Sequence, residues 1–181
     1  GPVEIKDQVI LSTKVPSAGN IHFTGAVNQD GSIPGDLTLN AGGEVFFNES
    51  VGNLISLNTL SARGSQIHVN KNVKTTNAML FHGPVQIPNA LNPLTFNSTA
   101  AGMHFQQSIS GNQVLTLSAT GTNGTILVDG NIDLTQAGAA GKSLTATATN
   151  HITFQENVVT SGGSGGSFNG GNVILTSTNG S

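Results

Sequence analysis

Six copies of one short pattern constrain this chain more than anything else in it. The pattern is an apolar residue, any residue, then Phe or Val, three mostly polar or small residues, and Val or Ile. The copies run Ile21-His22-Phe23 to Val27, Val45-Phe46-Phe47 to Val51, Ile67-His68-Val69 to Val73, Met103-His104-Phe105 to Ile109, Ile126-Leu127-Val128 to Ile132 and Ile152-Thr153-Phe154 to Val158. Alternation at the front of each copy puts its first and third residues on one face of a strand, and the polar middle allows a corner before the next inward residue. One such unit cannot bury its face alone, whereas stacked copies can, so the chain reads as a solenoid.

Composition supports that reading. Gly, Asn, Thr and Ser supply 81 of the 181 residues, which suits many corners and short strands and disfavours helices. No stretch shows a helical period, so the expected class is all-β. Only 8% of residues are charged and the net charge is -3, which leaves no basic footprint for nucleic acid and no polybasic patch for a membrane surface. The apolar runs are far shorter than a membrane span, so no insertion is expected. Cysteine is absent, which excludes disulfides and thiolate metal sites.

Apolar strand starts fall into two interleaved series. One is Ile21, Val45, Ile67, Leu94, Leu115, Leu144 and Val173; the other is Leu37, Leu57, Met79, Met103, Ile126 and Ile152, with steps of 20 to 29 residues in each. One β-helix coil per step gives about seven coils and a rod roughly 34 Å long. A longer similarity, offset by about 82 residues, matches Ile21–Val73 to Met103–Val158 and maps one series onto the other. Either the register differs from this one or half-coils are interchangeable. The alternative architecture is an antiparallel β-sandwich, which needs tight hairpins; Asn123-Gly124 is one of few such signals.

Gly1-Pro2 reads as the scar of a removed purification tag, and residues 3–181 as a single solenoid segment excised from a larger protein. Ser161 to Asn172, with six glycines and three serines, reads as a long loop that Phe168 pins back onto the rod.

Two stretches carry a family resemblance. Leu37-Thr38-Leu39-Asn40-Ala41-Gly42-Gly43 leading into Val45-Phe46-Phe47-Asn48, and Phe81-His82-Gly83-Pro84-Val85-Gln86-Ile87, resemble repeats of large exoproteins of the filamentous haemagglutinin type. These are secreted by Gram-negative bacteria through a two-partner route, and related repeats occur in autotransporter-like adhesins. The resemblance implies a right-handed parallel β-helix, an extracellular or cell-surface location, and a shaft or adhesive role. The partner would be a protein or glycan on a host or neighbouring cell. The family's amino-terminal secretion domain is not evident in this stretch. End-to-end self-association is a further expectation, because uncapped coils present unpaired strand edges.

Chemistry is sparse. His22, His68 and His104 occupy the same outward position of their copies; with Phe46 they form a candidate partner-binding outer column. Imidazoles two rungs apart, about 10 Å, cannot share a zinc ion, so no metal is expected. The nine acidic residues are scattered rather than paired, which argues against glycan cleavage and for a non-catalytic chain without cofactor. Asp129 and Asp133 are expected as solvated corner residues. Asp129-Gly130-Asn131-Ile132-Asp133 fails the calcium-loop pattern, whose sixth and twelfth positions are here Leu134 and Ala140. Thr145-Ala146-Thr147-Ala148-Thr149 places three threonines on one face, like an ice-binding solenoid, but as a single rung without a repeat in neighbouring coils. Asn48, Asn97, Asn123 and Asn179 begin glycosylation triplets. The competing function is a polysaccharide-binding or polysaccharide-cleaving β-helix module, which the absence of Tyr and Trp disfavours.

Overall fold

The structure is a computed structural model that describes residues 1–13, 19–31, 33–88, 93–135, 141–162 and 170–179. All regular structure among these residues is β, and every strand pairing is parallel. The chain is a β-solenoid, and the antiparallel sandwich is excluded. Residues 163–169, including Phe168, lie outside the described residues.

Each coil contributes three strands to three sheets. The first sheet stacks seven: Gln8–Ser12, Asp36–Asn40, Thr59–Arg63, Met79–Phe81, Met103–Phe105, Thr125–Val128 and His151–Phe154. The second also stacks seven: Ile21–Phe23, Val45–Phe47, Ile67–Val69, Val85–Ile87, Ile109–Gly111, Ile132–Asp133 and Val158–Val159. The third runs from Val3–Ile5 and Val27–Gln29 through a single bridge residue, Val51, to Val73–Thr75, Leu94–Ser98, Leu115–Ala119, Leu144–Ala148 and Val173–Ser177. The seven rungs of each of the first two sheets make six turns from first to last, close to the seven coils expected, and the third sheet stacks eight rungs. The step per coil runs from 18 residues, Ile67 to Val85, up to 29, Ala146 to Leu175.

The short strands follow from the sequence pattern. Three residues reading in, out, in bury two apolar side chains, and a polar corner then turns the chain onto the next sheet. Ile67 and Val69 are fully buried around a half-buried His68, and Met79 and Phe81 flank Leu80 in the same way. Corner backbone groups are paired with the coil beside them: the Asn48 amide donates to the Phe23 carbonyl at 3.0 Å and the Asn70 amide to Phe47 at 3.0 Å. The interior is one continuous apolar column. Phe23 and Phe47 stack at 5.5 Å, and Phe81, Phe96 and Phe105 form a three-ring cluster farther along. Of the eighteen inward positions of the six copies, fifteen are buried; Ile152, Phe154 and Val158, near the end of the rod, are only partly so.

The two-series register is corrected. Ile67 pairs with Val85, not with a strand beginning at Leu94, because a second-sheet strand lies between them in the chain. The first series therefore starts on the second sheet (Ile21, Val45, Ile67) and crosses to the third (Leu94, Leu115, Leu144, Val173). The second series stays on the first sheet, except that the strand there is set by Leu60; Leu57 is a buried corner residue bridged to Thr75.

Candidate binding faces

Outward residues of stacked rungs form columns about 4.8 Å apart. On the second sheet His22, Phe46 and His68 are direct register neighbours. Phe46 lies 3.9 Å from His22 between ring centroids and 4.3 Å from His68, the latter pair being parallel within 2°. Nε2 of His68 is buried without a hydrogen bond and stands 3.5 Å from Oε2 of Glu44, a contact that becomes an ion pair only when the imidazole is protonated. The column continues as Gln86, Ser110 and Asp133 and borders an open groove of about 300 Å³, whose floor includes Gly111 and Asn112. Asp133 is thus on a strand rather than at a corner.

His104 does not belong to this column. It lies on the first sheet between Leu80 and Leu127, because its motif copy sits one face away from those of His22 and His68. Nε2 of His104 is 2.7 Å from Oδ2 of Asp129, and the Gln155 amide donates to Oδ1 at 2.9 Å. Both oxygens of that carboxylate are therefore engaged at the corner leading to the second sheet. One rung back, His82 meets Arg63 at 3.2 Å, Ser61 at 3.2 Å and Gln106 at 2.9 Å. This corner is a ladder of polar side chains holding one another, with a single carboxylate in it. Glycan cleavage needs two placed carboxyl groups, one able to act on water or the sugar. Among the described residues no group of three or more His, Cys, Asp or Glu is arranged to hold a metal ion.

Two substitutions check this geometry. Phe46→Ala removes the ring shared by both imidazoles and is expected to cost about 1–2 kcal/mol, read from urea melts, as half-buried aromatic contacts do. His104→Ala breaks the His104–Asp129 hydrogen bond, whose two side chains are each about one-third exposed, 32% and 31%. Solvent screening limits that loss to at most about 1 kcal/mol. A larger loss would mean that His104 holds more than the Asp129 corner.

The third sheet carries an arrangement that sequence reasoning passed over. Thr145 does have repeats in neighbouring coils: Thr95, Thr116, Thr145 and Ile174 are one outward column, and Asn97, Ser118, Thr147 and Thr176 another. Just past the strands, the amides of Thr99, Thr120, Thr149 and Thr178 each bond to the coil before, giving a third column. The signal was present as Leu94-Thr95 to Thr99, Leu115-Thr116 to Thr120 and Leu144-Thr145 to Thr149, which repeat one spacing. It was missed because only the alignment of third-sheet strands brings these copies onto one surface. Of the glycosylation triplets, Asn123 is exposed, whereas the side-chain oxygen of Asn97 is buried and unpartnered.

Compared with protein-family models, curated proteins and solved structures, the chain matches none of them significantly.

Proposed function

We propose that this chain is a non-catalytic shaft segment of a secreted or surface-exposed bacterial adhesin, in which the solenoid holds binding faces in a fixed array. The observation that carries this reading is the continuous, mainly apolar interior running from Ile5 to Ala148, closed by polar corner ladders whose functional groups are largely spent on one another. Such a rod transmits force and spaces surfaces, since every coil is held to its neighbours by backbone bonds and shared core. The resemblance of Leu37–Asn48 and Phe81–Ile87 to filamentous haemagglutinin-type repeats supports the cell-surface setting and a Gram-negative source. The partner is a protein or glycan on another cell, met by an outward face such as that of His22, Phe46 and His68.

Beads coated with the chain should adhere to epithelial or bacterial cells above uncoated beads, and lyase and hydrolase assays on acidic glycans should show no turnover. Turnover would overturn the non-catalytic reading, and absence of adhesion to every cell type tried would overturn the adhesive one. Self-association has its own physical basis. The strand Val173–Ser177 is exposed throughout, and Val173, Ile174 and Leu175 keep 44%, 51% and 52% of their surface. Among the described residues its strand neighbour is Leu144–Ala148, and an exposed strand at the end of a sheet order is a template for a second copy. Light scattering is expected to show mass rising with protein concentration, and a monomer at all concentrations would contradict this.

A further inference from the structure

The three threonine columns form a lattice rather than a stripe. Ten of their twelve positions carry a hydroxyl, and the exceptions, Asn97 and Ile174, are uncharged. Four successive rungs repeat the arrangement at about 4.8 Å across strands, and alternate residues along a strand repeat at about 6.7 Å. Among the described residues the other two sheets show nothing comparable. The first-sheet column mixes Thr38, Ser61, Leu80, His104 and Leu127, and the second mixes aromatic, amide and acidic side chains. The lattice also begins abruptly, after the rung that carries Lys74.

Three further observations bear on what this face is for. The hydroxyls of Thr95, Thr116, Ser118, Thr145 and Thr147 make no hydrogen bond with the described residues, so they are available to an outside partner. Threonine is stiff about χ1, and packing between rungs leaves these side chains half-buried, so hydroxyls and methyls are ordered before anything binds. At the Lys74 end the face borders a hollow of about 150 Å³ lined by Lys74, Thr95, Asn97, Asn72 and Asn53.

We propose that this face binds ice. Its partner must be uncharged, rich in hydrogen-bonding oxygens and periodic in two directions. The surface of hexagonal ice meets all three conditions, with one oxygen repeat close to the rung spacing and another close to the alternate-residue spacing. Methyl groups between the hydroxyls order the adjoining water, and the hydroxyls join that water to the protein. No charged side chain within the lattice breaks the match. This inference is independent of the adhesive reading, because it concerns the third sheet and a partner that is not a cell surface.

The test uses the whole chain and single ice crystals watched while the temperature is lowered. The parent is expected to facet the crystals and to hold them without growth over a measurable interval below the melting point. T116K/T145K, which puts two charges into the lattice, is expected to lose both effects while melting at the parent's temperature by circular dichroism. T38K, on the outward face of the first sheet, is expected to keep them. Failure of the folded parent to shape ice would overturn the proposal, as would a T116K/T145K variant as active as the parent or a T38K variant as inactive as the double one. Adsorption of the parent to crystalline cellulose or chitin, without any effect on ice, would also overturn it and would identify a crystalline polysaccharide as the lattice instead.

Discussion

Phe105→Ala is expected to lower the melting temperature by about 10 °C. The ring is fully buried, stacks on Phe81 at 4.9 Å and 10°, and receives Phe96 edge-on at 5.2 Å and 86°. Phe81 and Phe96 also touch each other, so one truncation removes a shared member of a three-ring cluster. Deleting a buried Phe costs about 3–5 kcal/mol because the parallel backbones around it cannot close the cavity. For a chain of this size each kcal/mol is worth about 2–4 °C. The position of the cluster adds to the effect. Coils are stabilised chiefly by their neighbours, and a weak rung in the middle leaves two short stacks rather than one long one. Phe154→Ala, at a partly buried position near the end, should cost roughly half as much. Scanning calorimetry of the two variants checks the ordering; equal losses would mean that the interior is not continuous.

Gly52→Ala is the second large effect, and it acts through the backbone alone. Gly52 has φ +69°, a left-handed conformation that costs any other residue about 1–2 kcal/mol. A Cβ there would also lie 2.1 Å from the carbonyl oxygen of Lys74, in the next coil, and 3.1 Å from the amide nitrogen of Leu57. Neither neighbour is a flexible side-chain tip. Moving Lys74 would pull on its amide, which donates to the Val51 carbonyl at 2.8 Å and ties two coils together. The expected loss is at least about 3 kcal/mol, strain and displaced backbone combined. Urea unfolding measures it, and a loss below about 1 kcal/mol would show that this corner is looser than described.

The inward and outward parity of this chain was readable from the start, because a period of two is local: Phe23, Phe47, Phe105 and Val128 are inside as alternation requires. What alternation cannot carry is the identity of the face. Ile21-His22-Phe23 to Val27 turns from the second sheet to the third, while Met103-His104-Phe105 to Ile109 turns from the first to the second. One corner module serves two corners, and this explains the repeat near 82 residues. Ile21, Val45 and Ile67 on the second sheet correspond to Met103, Ile126 and Ile152 on the first, and Leu37 on the first corresponds to Leu115 on the third. The similarity is real and is rotated by one face, a third of a coil rather than a half. The third sheet was hard to see for another reason: in one coil it shrinks to Val51 alone, with no alternation to read.

The candidate faces follow the same logic. The column of His22, Phe46 and His68 was legible because three successive coils happen to use the same module on the same face. His104 was misplaced because its module had shifted. The threonine lattice needed the strand register before Thr95, Thr116 and Thr145 could be recognised as neighbours.

Register between coils is the central claim, and a chain without cysteine allows it to be tested with introduced pairs alone. His68 and Gln86 are register neighbours on the second sheet, whereas Thr95 lies on the third. Adjacent parallel strands bring paired Cα atoms within the range a disulfide can span. Under mild oxidation H68C/Q86C should cross-link rapidly and within one chain, and H68C/T95C should stay reduced. Cross-linking of H68C/T95C with H68C/Q86C left as free thiols would contradict the three-sheet solenoid and restore a register in which Ile67 is followed by Leu94.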